Sequence, residues 1–81
     1  MRTFMRSKIH KATVTHSDAS NTGGITIDKT LLEKSDIDLY EKVLIVSNTS
    51  GHRLETYVTE GPENSGKICI NGAASHLIKA G

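Results

Sequence analysis

Short apolar runs alternate with turn-forming stretches along the whole chain, and this rhythm predicts a small, mainly β fold. From Phe4 to Thr15 the residues favour extended backbone. Arg2, Phe4, Arg6, Lys8, His10, Ala12 and Val14 share one parity, with Met5, Ile9 and Thr13 on the other, which predicts a half-buried strand with one cationic face. Ser17 to Gly24 reads as a turn or loop, because Ser, Asp, Asn and Gly bond locally and tolerate positive φ. Ile25 to Ile27 then predicts a short strand. Asp28 caps a helix over Lys29 to Lys34 that buries Leu31 and Leu32 and stops at Ser35-Asp36.

The run Val43-Leu44-Ile45-Val46, β-branched and too short for a helix, predicts a buried strand over Lys42 to Val46. Asn48 to Gly51 is a hairpin loop by its chemistry, and the return strand runs from Arg53 to Thr59. It sets Arg53, Glu55, Tyr57 and Thr59 on one face. Gly61 to Gly66, with Pro62 inside, is a second loop, followed by a strand over Lys67 to Ile70 and a short helix over Ala73 to Ala80 that Gly81 terminates. The spacing of these elements predicts a small β-barrel with one or two short helices. No repeat or linker divides residues 1–81, so a single domain is expected.

Length and charge narrow the chemistry. A chain of 81 residues is too small to enclose a large active site, so a sizeable site is expected at an interface between copies. Ten basic and nine acidic residues give a net charge of +1, which provides no global field for nucleic acid or an anionic membrane. No apolar run reaches the ~18 residues of a membrane span, and the first ten residues lack a signal-peptide core. With one cysteine, Cys69, and thus no internal disulfide, the expectation is a soluble cytoplasmic protein.

Several residues are candidates for chemistry. Arg6, Lys8 and His10 alternate about 7 Å apart along one strand face, a pattern that can grip an anion and equally describes a solvated edge strand. No aromatic platform accompanies these charges to favour nucleic acid. Arg53 and Tyr57, four residues apart on one strand face, can place a guanidinium fork and a phenol on either side of one small carboxylate; a surface Arg and a half-buried Tyr are the plain alternative. His10, His16, His52 and His76 show no zinc-site spacing, so no metal is expected. Cys69, in an apolar strand, reads as a core residue.

Ser7-Lys8-Ile9-His10, Val14-Thr15-His16 with Asp18, Gly23 to Asp28 as G-x-I-T-I-D, the G-x-R-L-E-T-Y run ending at Tyr57, and Ile68 to Ala74 as I-C-I-N-G-A-A occur in order along nearly the whole chain. Together they closely resemble the aspartate 1-decarboxylase family, pyruvoyl-dependent enzymes that convert L-aspartate to β-alanine for pantothenate synthesis. The resemblance implies a double-psi β-barrel, here incomplete at its C-terminal side, assembled as a homotetramer with sites between subunits. It also implies a pyruvoyl cofactor made when a serine hydroxyl attacks the preceding glycine carbonyl.

By the same resemblance Arg53, Lys8, Asn71, Thr56, Gly72 and Ala73 bind substrate, Tyr57 donates the proton to the decarboxylated carbon, and His10 lies nearby. Gly23-Gly24 is then the cleavage site, with Gly24 where the family has the pyruvoyl-forming serine and Asn21 where it commonly has tyrosine. Glycine has no nucleophilic oxygen. The expectation is a chain that neither self-cleaves nor decarboxylates aspartate, with a non-enzymatic barrel binding a small carboxylate or a partner chain as the alternative.

Overall fold

The computed structural model describes residues 1–81 and contains one mixed sheet, one α-helix and one 3-10 helix. The strands are β1 (His16–Asp18), β2 (Ile25–Asp28), β3 (Lys42–Val46), β4 (Arg53–Gly61) and β5 (Ile68–Asn71), in sheet order β1-β5-β2-β4-β3. Helix α1 spans Lys29–Ser35, and the 3-10 helix spans Gly72–His76. β1 runs parallel to β5 and β2 parallel to β4, while β2–β5 and β3–β4 are antiparallel. The sheet is open, with β1 and β3 as its edges.

Ile25, Ile27, Leu32, Val58, Ile68, Ile70 and Ile78 form the core. β5 is buried along its length because strands flank it on both sides, which suits its nearly unbroken apolar run. β3 is not the buried strand that its apolar run predicts: Val43 and Ile45 are half-buried while Leu44 and Val46 are exposed, and β4 mostly alternates likewise, as a hairpin with one wet face does. No helix is long and apolar enough to cross a membrane.

Other sequence expectations need correction. Phe4 to Thr15 is not a strand, and no backbone hydrogen bond involves residues 1–13. Extended-favouring residues become a strand only when a ladder accepts their N–H and C=O groups. Arg6 of this segment instead binds the Asp36 carboxylate at 2.9 Å, the Asp36 carbonyl and Glu41, so it is spent on an ion pair rather than offered to an anion. The loop expected from Ser17 begins later, since His16–Asp18 pairs with Cys69–Asn71. The second strand of the hairpin runs on past Thr59 to Gly61 because its end pairs with β2, and the final helix is a 3-10 turn that does not reach Ala80.

Asp28 ties α1 to the β4–β5 loop. Its carboxylate accepts from the backbone N–H groups of Thr30 at 2.8 Å, Asn64 at 2.9 Å and Gly66 at 2.8 Å. Burial acts to raise its pKa, and these three donors outweigh it, leaving the group below the ordinary carboxylate range. A carboxyl with a lowered folded pKa stabilises the fold above its unfolded pKa of about 4, and that contribution is lost as pH falls through the folded value. Thermal unfolding is therefore expected to be flat with respect to this group from pH 7 to about 5 and to drop below about pH 4. Asp28→Asn should lower the midpoint at pH 7 and flatten the acid limb, because an amide nitrogen cannot accept from a backbone N–H.

Candidate functional site

The loop from Ala19 to Gly24 leaves the end of β1 and enters β2 beside the end of β5 and the middle of β4. Asp18 starts it by accepting from the Ser20 hydroxyl at 2.6 Å and the Ser20 N–H at 2.9 Å, contacts that hold its carboxyl below the ordinary range. Gly23 and Gly24 follow with φ of +120° and +81°, a region that disfavours L side chains. Gly24 is buried, and its carbonyl accepts from the Asn71 N–H at 3.0 Å.

Two residues enclose this dipeptide. A Cβ placed on Gly24 would stand 2.9 Å from Tyr57 Cε2, 2.9 Å from the Tyr57 carbonyl oxygen and 3.1 Å from Cζ. A Cβ on Gly72 would stand 3.0 Å from Gly23 Cα and 3.2 Å from Gly23 N, so the backbone at 72 must also be bare for the loop to lie there. The Tyr57 ring packs against Tyr40, with centroids 6.4 Å apart.

A polar network lies beside the loop. The Asn71 amide donates to Thr26 Oγ1 at 2.9 Å, and its Oδ1 accepts from Asn21 Nδ2 and from Cys69 Sγ, both at 3.0 Å. Thr26 and Thr59, register partners across β2 and β4, share a 2.7 Å hydroxyl bond. Asn71 is buried, so each partner it satisfies matters more than an exposed contact does. No group of three or more His, Cys, Asp or Glu side chains is placed to hold a metal ion.

Elsewhere, Lys8, His10 and Arg53 line a groove of about 1040 Å³ whose wall includes Val43, Ile45 and Ile70. All three charged or ionisable side chains are exposed. Arg53 shares the outer face of β4 with Tyr57, about 13 Å further along the strand at 3.3 Å per residue. Thr56 falls on the opposite side of β4 with Leu54 and Val58, and Ala73 is exposed on the 3-10 helix. The structure thus brings Gly23, Gly24, Tyr57, Asn71 and Gly72 together, and sets Lys8, His10 and Arg53 on the groove.

Over residues 1–81 the sequence matches the family model described as aspartate decarboxylase. The chain belongs to that family. It is 54% identical over 79 residues to the aspartate 1-decarboxylase of Clostridium botulinum (strain Loch Maree / Type A3), covering 98% of this chain and 62% of that protein. It is 54% identical over 81 residues to the aspartate 1-decarboxylase of Staphylococcus epidermidis (strain ATCC 12228 / FDA PCI 1200), covering 100% of this chain and 63% of the relative. For the aspartate 1-decarboxylase of Pelotomaculum thermopropionicum (strain DSM 13744 / JCM 10971 / SI) the values are 53% over 79 residues, 98% and 60%. The chain therefore spans about three-fifths of the length of these relatives.

Asn21, Thr26 and Thr59 join the network beside the loop, a contact role that the motifs did not assign to them. Their signal was present: Thr26 and Thr59 are polar positions inside otherwise apolar strand segments, Ile25-Thr26-Ile27 and Val58-Thr59. Only the parallel β2–β4 register makes them a pair.

Proposed function

We propose that this chain is a member of the aspartate decarboxylase family that stays in its uncleaved form and does not itself convert L-aspartate to β-alanine and carbon dioxide. The observation that carries this reading is position 24: a buried glycine with no side-chain oxygen, where the family motif has the serine that attacks the Gly23 carbonyl. The residues present do not fit a pyruvoyl group made from this bond. Neighbouring hydroxyls are no substitute, since the group that attacks the Gly23 carbonyl and then becomes the keto acid must stand on residue 24 itself, and Ser20, Thr22 and Thr26 all lie at other positions of the chain.

What remains is a set of residues suited to a small carboxylate. Arg53 supplies a planar cationic fork and Lys8 a second cation on the same groove. Tyr57 adds a phenol on the Arg53 face of β4, with Thr56, Asn71, Gly72, Ala73 and His10 as the further contact set that the family motif suggests. The finer fold in this proposal is a single domain over 1–81 built as a double-psi barrel incomplete at its C-terminal side, in keeping with the open sheet and the parallel pairs β1–β5 and β2–β4. Assembly of copies, to a homotetramer, agrees with the exposed Leu44, Val46, Tyr40 and Tyr57, and a cytoplasmic setting agrees with a biosynthetic family.

Intact-mass spectrometry of the purified 81-residue chain is expected to give one full-length species, and aspartate is expected to release no carbon dioxide. Two fragments divided at Gly23-Gly24, or aspartate-dependent gas release, defeat the reading. In calorimetric titration with aspartate, Arg53→Ala is expected to weaken binding by about tenfold or more, the size of one charge-assisted hydrogen bond.

A further inference from the structure

We propose that Asn71-Gly72 is a site of spontaneous deamidation that the fold holds silent and that loosening of the Ala19 to Gly24 loop switches on. Of the four asparagines, Asn21, Asn48, Asn64 and Asn71, only the last is followed by glycine. Glycine has no side chain to shield its backbone nitrogen, so attack on the neighbouring side-chain amide is fastest there. The Gly72 nitrogen bonds to Asn71 Cγ, the Cγ–Nδ2 bond breaks and ammonia leaves. Water then opens the succinimide ring to aspartate or isoaspartate.

In the closed structure that ring cannot form. Because the ring contains Cβ, the Gly72 nitrogen must eclipse Cβ, and at an Asn71 ψ of +153° it lies about a quarter turn away. Swinging it round displaces either Gly72 or Asn71. Gly72 is packed so closely on Gly23 that a Cβ there would stand 3.0 Å from Gly23 Cα, and the Asn71 N–H is bonded to the Gly24 carbonyl at 3.0 Å. The side chain must also release Thr26 Oγ1 at 2.9 Å and both Asn21 Nδ2 and Cys69 Sγ at 3.0 Å. Asn71 is only 6% exposed, which keeps out the water and base that the reaction needs.

These restraints are local and can be lost locally. β1, the register partner of Asn71, is an edge strand of three residues, and the loop beyond it holds Asn71 by one side-chain bond from Asn21 and one backbone bond at Gly24. Opening such an edge takes less free energy than global unfolding. The products do not fit the closed form. Aspartate at 71 turns the amide donor into a second acceptor and buries a charge, and isoaspartate adds a carbon to the backbone where Gly72 already touches Gly23. Deamidation therefore leaves the loop open.

Peptide mapping of the 81-residue chain after incubation at neutral pH reads aspartate and isoaspartate at position 71. The native chain is expected to convert at least about tenfold more slowly than the chain unfolded in urea, as a site reached through a minority open state does. Thr26→Val removes the acceptor of the Asn71 amide and is expected to speed native conversion about twofold to tenfold, the factor one hydrogen bond corresponds to, with the rate in urea unchanged. In urea, Gly72→Ala is expected to slow conversion. Equal native and unfolded rates, no conversion in urea, or a native rate that Thr26→Val leaves unchanged each overturn the proposal. Should Thr26→Val fail to fold, Asn21→Ala takes its place with an expected gain of about twofold in native rate, and an unchanged rate is equally fatal.

Discussion

Ile70→Ala is expected to cost about 2–5 kcal/mol and to lower Tm by about 10–30 °C. Ile70 is 0% exposed on β5, where it pairs with Ile25 of β2 and Ser17 of β1. Truncation there removes three methyl or methylene carbons from a core of seven residues, and the flanking strands prevent the cavity from collapsing. A domain of this length has only about 4–12 kcal/mol of stability in total, so the loss is a large share of it. Ile70→Val, which deletes one carbon, should cost about 0.5–1.5 kcal/mol. Urea titration followed by circular dichroism separates the two, and similar midpoints for both variants would show that the core is not packed around this side chain.

Asn71→Ala is expected to cost about 1–3 kcal/mol and to loosen the loop that carries the Gly23-Gly24 bond. The amide is the only group joining Asn21 of the loop, Cys69 of β5 and Thr26 of β2, and it does so from a buried position. Alanine leaves those partners without it, although the backbone bond from residue 71 to the Gly24 carbonyl survives. Faster amide exchange should therefore spread across Ser20 to Gly24 and not into α1. Asn21→Ala makes a sharp control: Asn21 is exposed, water replaces its lost contact, and the cost should stay within about 0.5 kcal/mol. Equal effects from the two alanine variants would locate the stabilising contact outside Asn71.

Much of the fold was legible because it is local. The β3–β4 hairpin follows from an apolar run, a turn-forming Asn48-Thr49-Ser50-Gly51 and a return strand, and the structure pairs Lys42–Val46 with Arg53–Tyr57 as that pattern requires. The start of α1 was readable from one side chain, since Asp28 caps it through Thr30 N–H. Phe4 to Thr15 shows the limit: its composition suits a strand, yet β1 forms instead at His16–Asp18, where β5 provides a partner. Composition reports the willingness of backbone to extend. Whether a neighbour is there to bond is a property of the whole chain.

The site divides in the same way. By itself the sequence determined the family, through ordered motifs, and the absence of a hydroxyl at Gly24, because residue identity is chemistry and needs no fold to be read. Tertiary structure alone decided that Tyr57, 33 residues away, packs beside Gly24, that Asn71 bridges Asn21 and Thr26, and that Lys8 and Arg53 share a groove. These are meetings between distant segments, set by the parallel register of β2 on β4 and the packing of β5 between β1 and β2. A local pattern specifies which face a side chain occupies, but the contact it makes depends on which strand lies beside it.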